Sequence, residues 1–246
     1  MTINLQNAEI VKDSPLSKRV TAVFELLAFV AFALISKEVM DPFSGAYAGP
    51  ASLITTLIIL TIYIRRRGQN WASMGLRTMP GLKAKLLVLP QAAAVFVTVL
   101  LTLVLLTKGL DAIGLTFMSE PIEGETERWG EVQGNLQLYL ILIALSWISA
   151  GFGEEMFFRG FLITRLKTAL DDIKFSSSIS ILLAALLFGY VHFYYQGMAG
   201  LVNAGVIGVI FGIYFLLYNQ NLWPLIIAHG FINSLGFTTE YMGWGL

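Results

Sequence analysis

The chain predicts an all-α fold, a polytopic transmembrane helix bundle of about seven spans, on three observations. Of its 246 residues, 56% are hydrophobic and only 13% charged, with a mean hydropathy of +0.72. A soluble domain carries about twice that share of charge. Seven apolar runs approach the roughly 20 residues a helical span needs. Those runs are continuous, whereas the strands of a membrane barrel alternate apolar and polar residues.

The polar stretch from Met1 to Arg19 leads into the first run, 20–36. Its "AFA" (Ala31 to Ala33) imitates a signal-peptidase site. The leader is long, however, and carries Glu9 and Asp13 as well as Lys12, Lys18 and Arg19, so a retained first span is expected. The second and third runs, 46–64 and 84–106, flank "RRRGQNWASMGLRTMPGLKAK" (Arg65 to Lys85). This basic loop, with Trp71, Met74 and Leu76 interleaved, reads as a segment lying on anionic headgroups. The loop from Thr107 to Asn135 is acidic, and its spacing does not match an EF-hand. The remaining runs are 136–156, 177–195, 201–218 and 223–240. In the sixth, Gly208 and Gly212 are spaced for close helix packing.

With the N-terminus inside, the cytoplasmic segments hold Lys12, Lys18, Arg19, Arg65, Arg66, Arg67, Arg77, Lys83, Lys85, Arg159, Arg165, Lys167 and Lys174. Only Lys37, Lys108 and Arg128 fall on the other side. The positive-inside rule therefore orients the chain with its N-terminus inside and its C-terminus outside, and the expected location is a bacterial cytoplasmic membrane, as a multi-pass protein. Sixteen basic residues balance sixteen acidic ones, so nothing in the net charge points to nucleic acid. The absence of cysteine excludes disulfides, thiolate metal sites and a cysteine nucleophile. No repeat or linker divides the chain, and 1–246 reads as a single membrane domain.

The residues able to do chemistry are few. "GEEMFFR" (Gly153 to Arg159) follows seventeen uncharged residues, and the only histidines, His192 and His229, both fall in apolar runs. Ionisable groups inside spans are costly and usually face the bundle interior. On a helix, Glu155 and Arg159 are four apart and can pair, whereas the same step from Glu154 reaches Phe158. Glu154 is thus the candidate general base, against the plainer reading that both glutamates pair with Arg159 at the helix end. His229 and Asn233 share one helical face. They suit an oxyanion site or, equally, a hydrogen bond between spans.

Three motifs then resemble one family. "EEMFFR" is similar to the EExxxR motif of the CPBP family, the CAAX-protease and bacteriocin-processing (Abi) intramembrane endopeptidases. "FGYVH" (Phe188 to His192) resembles its FxxxH motif, and "HGFIN" (His229 to Asn233) its HxxxN motif. The resemblance covers about 136–240, where the catalytic part is expected. It implies that Glu154 and His192 activate a water molecule, that His229 and Asn233 hold the oxyanion, and that Glu155, Arg159 and Phe188 support the site. It implies a peptide or protein substrate, lipidated or membrane-bound, cleaved below the cytoplasmic face of the lipid bilayer. The reading taken is chemistry without a metal cofactor, with zinc on Glu154, His192 and His229 as the alternative. A non-enzymatic scaffold or immunity protein on the same fold, and a proton-coupled transporter, are the rival functions.

Overall fold

The computed structural model describes residues 14–120 and 128–244, and among these there is helix and no strand. The acidic-loop residues Glu123, Glu125 and Glu127, and Lys12 of the leader, lie outside the described residues. The elements are α1 (Pro15–Ser44), a 3-10 turn (Gly45–Tyr47), α2 (Ala48–Arg66), a second 3-10 turn (Trp71–Met74) and α3 (Gly81–Ala112). Next come α4 (Leu136–Leu145), a π-helix (Ser146–Ile163), α5 (Thr164–Ala169), α6 (Ser176–Leu217) and α7 (Trp223–Met242). Four stretches are long and apolar enough to cross a membrane: 15–66, 81–112, 136–169 and 176–217.

Two of those stretches contain reversals. The Ser14 hydroxyl accepts from Ser17 N–H and Pro15 occupies the first turn, which starts α1 where its apolar run begins. The chain then turns at 45–47, and α2 returns alongside α1, with Phe29 against Tyr63 at 5.4 Å between ring centres. In α6 the break is at Gly197, whose φ of 55° and ψ of −145° suit glycine alone. Beyond it the helix doubles back. The space a Cβ would take at Gly208 lies 2.9 Å from Ala185, and at Gly212 2.8 Å from Ile181. Small residues let the two arms, 176–196 and 198–217, approach closely, as the spacing of Gly208 and Gly212 predicted.

The bundle has two unlike ends. At one end stand the starts of α1, α3 and α7 with the loop between α2 and α3. Leu222 N–H donates to Gly75 O at 3.1 Å, and Trp223 Nε1–H donates to Arg77 O at 2.8 Å. Arg19 pairs with Asp171 and Asp172, which ties α1 to the segment after α5. At the other end stand the turn at 45–47, the end of α3, the approach to α4 and the Gly197 reversal. Trp129 packs edge-on against Tyr47 and Phe237 there.

The sequence reading took the first motif as α-helical, but Ser146–Ile163 is a π-helix. A π-helix shifts the hydrogen bond to i+5 and is mostly seen as short insertions near functional sites. Its small residues let three neighbours press in. Gly151 lies against the backbone of Ile226 and Gly230, Gly153 against Leu53 and Leu57, and Gly160 against Met74 and Leu222.

Candidate active site

The first motif sits at the centre of the π-helix, enclosed by α2, α6 and α7. Glu155 is fully buried and Arg159 nearly so. Arg159 Nη1–H donates to Glu155 Oε1 at 2.9 Å, the pairing that i,i+4 spacing predicted. The guanidinium lies 4.6 Å from the ring centre of Phe188 and 5.0 Å from that of Phe211. Aromatic faces thus replace part of the hydration that the cation gives up.

Glu155 also holds a histidine, which sequence spacing did not foresee. His229 Nδ1 is 2.8 Å from Glu155 Oε1. A carboxylate oxygen accepts, so Nδ1 carries the proton, the ring is fixed, and Nε2 points elsewhere. Nε2 lies 3.8 Å from Glu154 Oε2, too far for a hydrogen bond. Edges of Phe188 and Phe211 flank the ring.

His192 is fixed differently. Its Nδ1 is 2.7 Å from Phe188 O, one turn back on the same helix. A carbonyl can only accept, so Nδ1 is the protonated nitrogen and Nε2 keeps its lone pair. Phe188, four residues earlier, packs against the ring at 4.6 Å between centres. The FxxxH spacing therefore supplies both the carbonyl and the ring that set the imidazole.

Glu154, His192 and Asn233 line one cavity of about 1800 Å³. His229 does not line it; Glu155 draws the imidazole back into the packed interior, where Nε2 faces the cavity only across Glu154. The four residues expected together are thus a group of three, with His229 behind. Glu154 Oε2, Glu155 Oε2 and Arg159 Nη2 are buried without a hydrogen-bond partner. Buried polar atoms are seldom left so, and a cluster of three marks a place built for something other than packing.

The cavity's rim includes Lys37, Glu38, Arg128, Gln133 and Gln196, all at the end away from the basic loops. The expected site below the cytoplasmic face and the expected orientation of the basic loops therefore do not agree. Spacing and charge counts locate each feature along the chain but not at which end a cavity opens.

No three His, Asp or Glu side chains among the described residues gather closely enough to hold a metal ion. A Glu155–His229 pair would suit the second shell of a metal, but Glu154, His192 and His229 do not form a ligand set in this geometry.

One buried carboxylate escaped the sequence reading. Glu25, inside the first apolar run, is 6% exposed. It pairs with Arg165, accepts from Tyr63 O–H at 2.9 Å and lies 3.6 Å from Arg67. The signal was present, as a lone glutamate in "TAVFELLAFVAF".

Residues 136–235 match the family of type II CAAX prenyl endopeptidase Rce1-like proteins. The segment belongs to the CAAX-protease family. The match contains all three motifs, and α1 to α3 lie outside it. No curated protein and no solved structure matches the chain. The match over this segment and the apolar helices together support an integral membrane protein, and a protease family implies a peptide or protein substrate.

Proposed function

We propose that the chain is an intramembrane endopeptidase in which Glu154 and His192 activate a water molecule without a metal ion. The observation that carries this reading is the unlike state of the two adjacent glutamates. Glu155 is fully buried and bonded to Arg159 and His229, whereas Glu154 lines the cavity and meets His229 Nε2 only at 3.8 Å. A water between Glu154 and His192 would pass its proton to the carboxylate while His192 Nε2 accepts its other hydrogen bond. The attack would leave an oxyanion on the scissile carbonyl; Asn233 would donate to it, joined by His229 Nε2 only when that ring carries a proton on both nitrogens. Collapse of that intermediate would return the proton from Glu154 to the leaving amine. Arg159 and Phe188 would hold Glu155 and His192 in place.

Seven spans complete the reading. The reversals at 45–47 and at Gly197 divide two long stretches into antiparallel pairs, and α7 supplies the last crossing. The distribution of basic residues supports an N-terminus in the cytoplasm. Reporter fusions after Arg67 and after Glu125 should then report cytoplasm and exterior respectively.

The decisive test is peptide cleavage by purified protein in detergent, comparing wild type with Glu154→Ala, each with and without a chelator. Cleavage by wild type in both conditions and none by the variant is expected. Loss of activity with chelator, restored by zinc, would overturn the metal-free mechanism. No cleavage by the wild type would turn the reading to a scaffold on this fold, and equal cleavage by wild type and variant would remove Glu154 from the chemistry.

A further inference from the structure

The bundle is shut at the end that carries the basic loops. Phe215, Leu222 and Leu225 have no exposed surface there, and no residue of 65–85 or 217–224 lines the cavity. The polar groups a substrate can meet therefore stand on the cavity's walls, and one of them belongs to none of the three motifs.

Five hydroxyl side chains are buried among the described residues: Ser52, Thr56, Ser146, Ser149 and Ser180. Four of them donate to a carbonyl three or four residues back on their own helix, at 2.7–3.1 Å. That is how a hydroxyl in an apolar helix is usually satisfied. Ser149, only 4% exposed, has no hydrogen-bond partner among the described residues, and it lines the cavity. A buried hydroxyl left so is expected to meet water or a ligand.

Two features set Ser149 beside the chemistry. The first is the π-helix. In an α-helix, residues five apart stand about 140° apart around the axis. Hydrogen bonding from i to i+5 widens the turn and brings them back toward one side. Ser149 comes five residues before Glu154, and both line the cavity. The second is the crossing with α7. Trp147 Nε1–H donates to Ser234 Oγ at 3.0 Å, and the space a Cβ would take at Gly151 lies 3.3 Å from Gly230 N. Ser149, midway between Trp147 and Gly151, is thus level with the stretch 230–234, which includes Asn233.

The proposed reaction is short of a donor at that level. His229 Nδ1 holds the proton that faces Glu155, so Nε2 of the neutral ring has none to give. Asn233 is then left alone with the oxyanion, which can accept from more than one donor.

We infer that Ser149 is a further catalytic residue, whose hydroxyl donates to the oxyanion beside Asn233. This rests on the endopeptidase reading. As water adds to the scissile carbonyl, the new C–O bond pushes the π electrons onto the carbonyl oxygen, and the water's proton goes to Glu154. Ser149 keeps its own proton throughout and shares it as a hydrogen bond. The π-helix then has a use, since it sets base and donor on one wall.

Ser149→Ala removes the donor and little else. In peptide cleavage in detergent, kcat should fall on the order of 10²-fold with KM unchanged, the cost of one oxyanion donor. Ser149→Cys keeps the side chain's shape with a weak donor and should fall with alanine, whereas Ser149→Thr keeps the hydroxyl and should recover most of the loss. The second readout is the inhibition constant of a phosphinic peptide, whose tetrahedral P–O⁻ group stands for the intermediate. It should rise by the factor that kcat/KM falls, with the thermal midpoint near that of wild type. Wild-type kcat in Ser149→Ala would overturn the inference. So would a lowered kcat with unchanged inhibition, or a loss in Ser149→Thr as deep as in Ser149→Ala. A wild type that cleaves nothing sinks the endopeptidase reading and this inference with it; an active wild type matched by Ser149→Ala sinks the inference alone.

Discussion

Glu25 at the shut end and Glu154 at the cavity are both carboxylates embedded in apolar helices, and they are treated in opposite ways. Glu25 pairs with Arg165, accepts from Tyr63 and has Arg67 nearby. Glu154 has an imidazole nitrogen at 3.8 Å and a buried oxygen with no partner. A charge in a span is expensive, so its surroundings reveal its purpose. A carboxylate surrounded by donors ties helices together, whereas one left short of donors beside a cavity is available to a ligand or a proton.

The largest effect should come from the cavity. Glu154→Gln keeps the shape of the side chain but cannot take a proton from water. Cleavage should fall by about 10²- to 10⁴-fold, with thermal stability in detergent near that of wild type. A folded Glu154→Gln enzyme with full turnover would end the comparison as drawn.

Glu155→Gln should act on folding instead. It leaves Arg159 buried beside two aromatic rings without its counter-charge, which costs about 3–5 kcal/mol. Arg159→Lys should be destabilising in the same direction, because an ammonium lacks the planar fork that fits between Phe188 and Phe211. Thermal unfolding and expression measure both. A Glu155→Gln protein as stable as wild type but inactive would reassign the base.

Glu25→Gln should cost less than Glu155→Gln. Arg165 and Arg67 retain a path to solvent, with side-chain exposures of 13% and 42%, so the orphaned cations can be hydrated. A loss of about 1–3 kcal/mol is expected, the range for a broken hydrogen bond to a charged group. Turnover per folded molecule should be unchanged. Reduced turnover at full stability would mean that the shut end also takes part in the chemistry.

The helical class and the inward placing of Glu154, His192 and Asn233 were legible in the sequence because lipid imposes them. Apolar length sets the spans, and costly polar groups must face inward. The Glu155–Arg159 pair was legible from spacing alone. Three features were not. The π-helix meets its close neighbours at Gly151, Gly153 and Gly160, and those contacts come from distant parts of the chain that no local propensity encodes. The Glu155–His229 bond joins residues 74 positions apart and depends on how two helices cross. The end at which the cavity opens depends on where helices fail to pack, and the hydropathy of a run says nothing of its partners.

The smallest effects separate packed from open along a single helix. Gly230, in the half of α7 toward the shut end, lies under Trp147. A Cβ there would be 2.6 Å from the indole, and the Gly230 backbone is 3.3 Å from the corresponding space at Gly151. This crossing of two glycines lets His229 reach Glu155. Gly230→Ala must push the helices apart, at about 1–3 kcal/mol, and should lower turnover too as the imidazole is withdrawn from its carboxylate. Gly236, less than two turns later on the cavity side, has nothing within 4 Å of such a Cβ. There alanine adds no clash and relieves the backbone entropy of a helical glycine, so Gly236→Ala should be neutral or stabilise by up to about 1 kcal/mol. Thermal midpoints of the two variants in the same detergent make the measurement. If they shift equally, the π-helix and α7 do not meet closely at Gly151 and Gly230, and the geometry that sets His229 against Glu155 is lost with that contact.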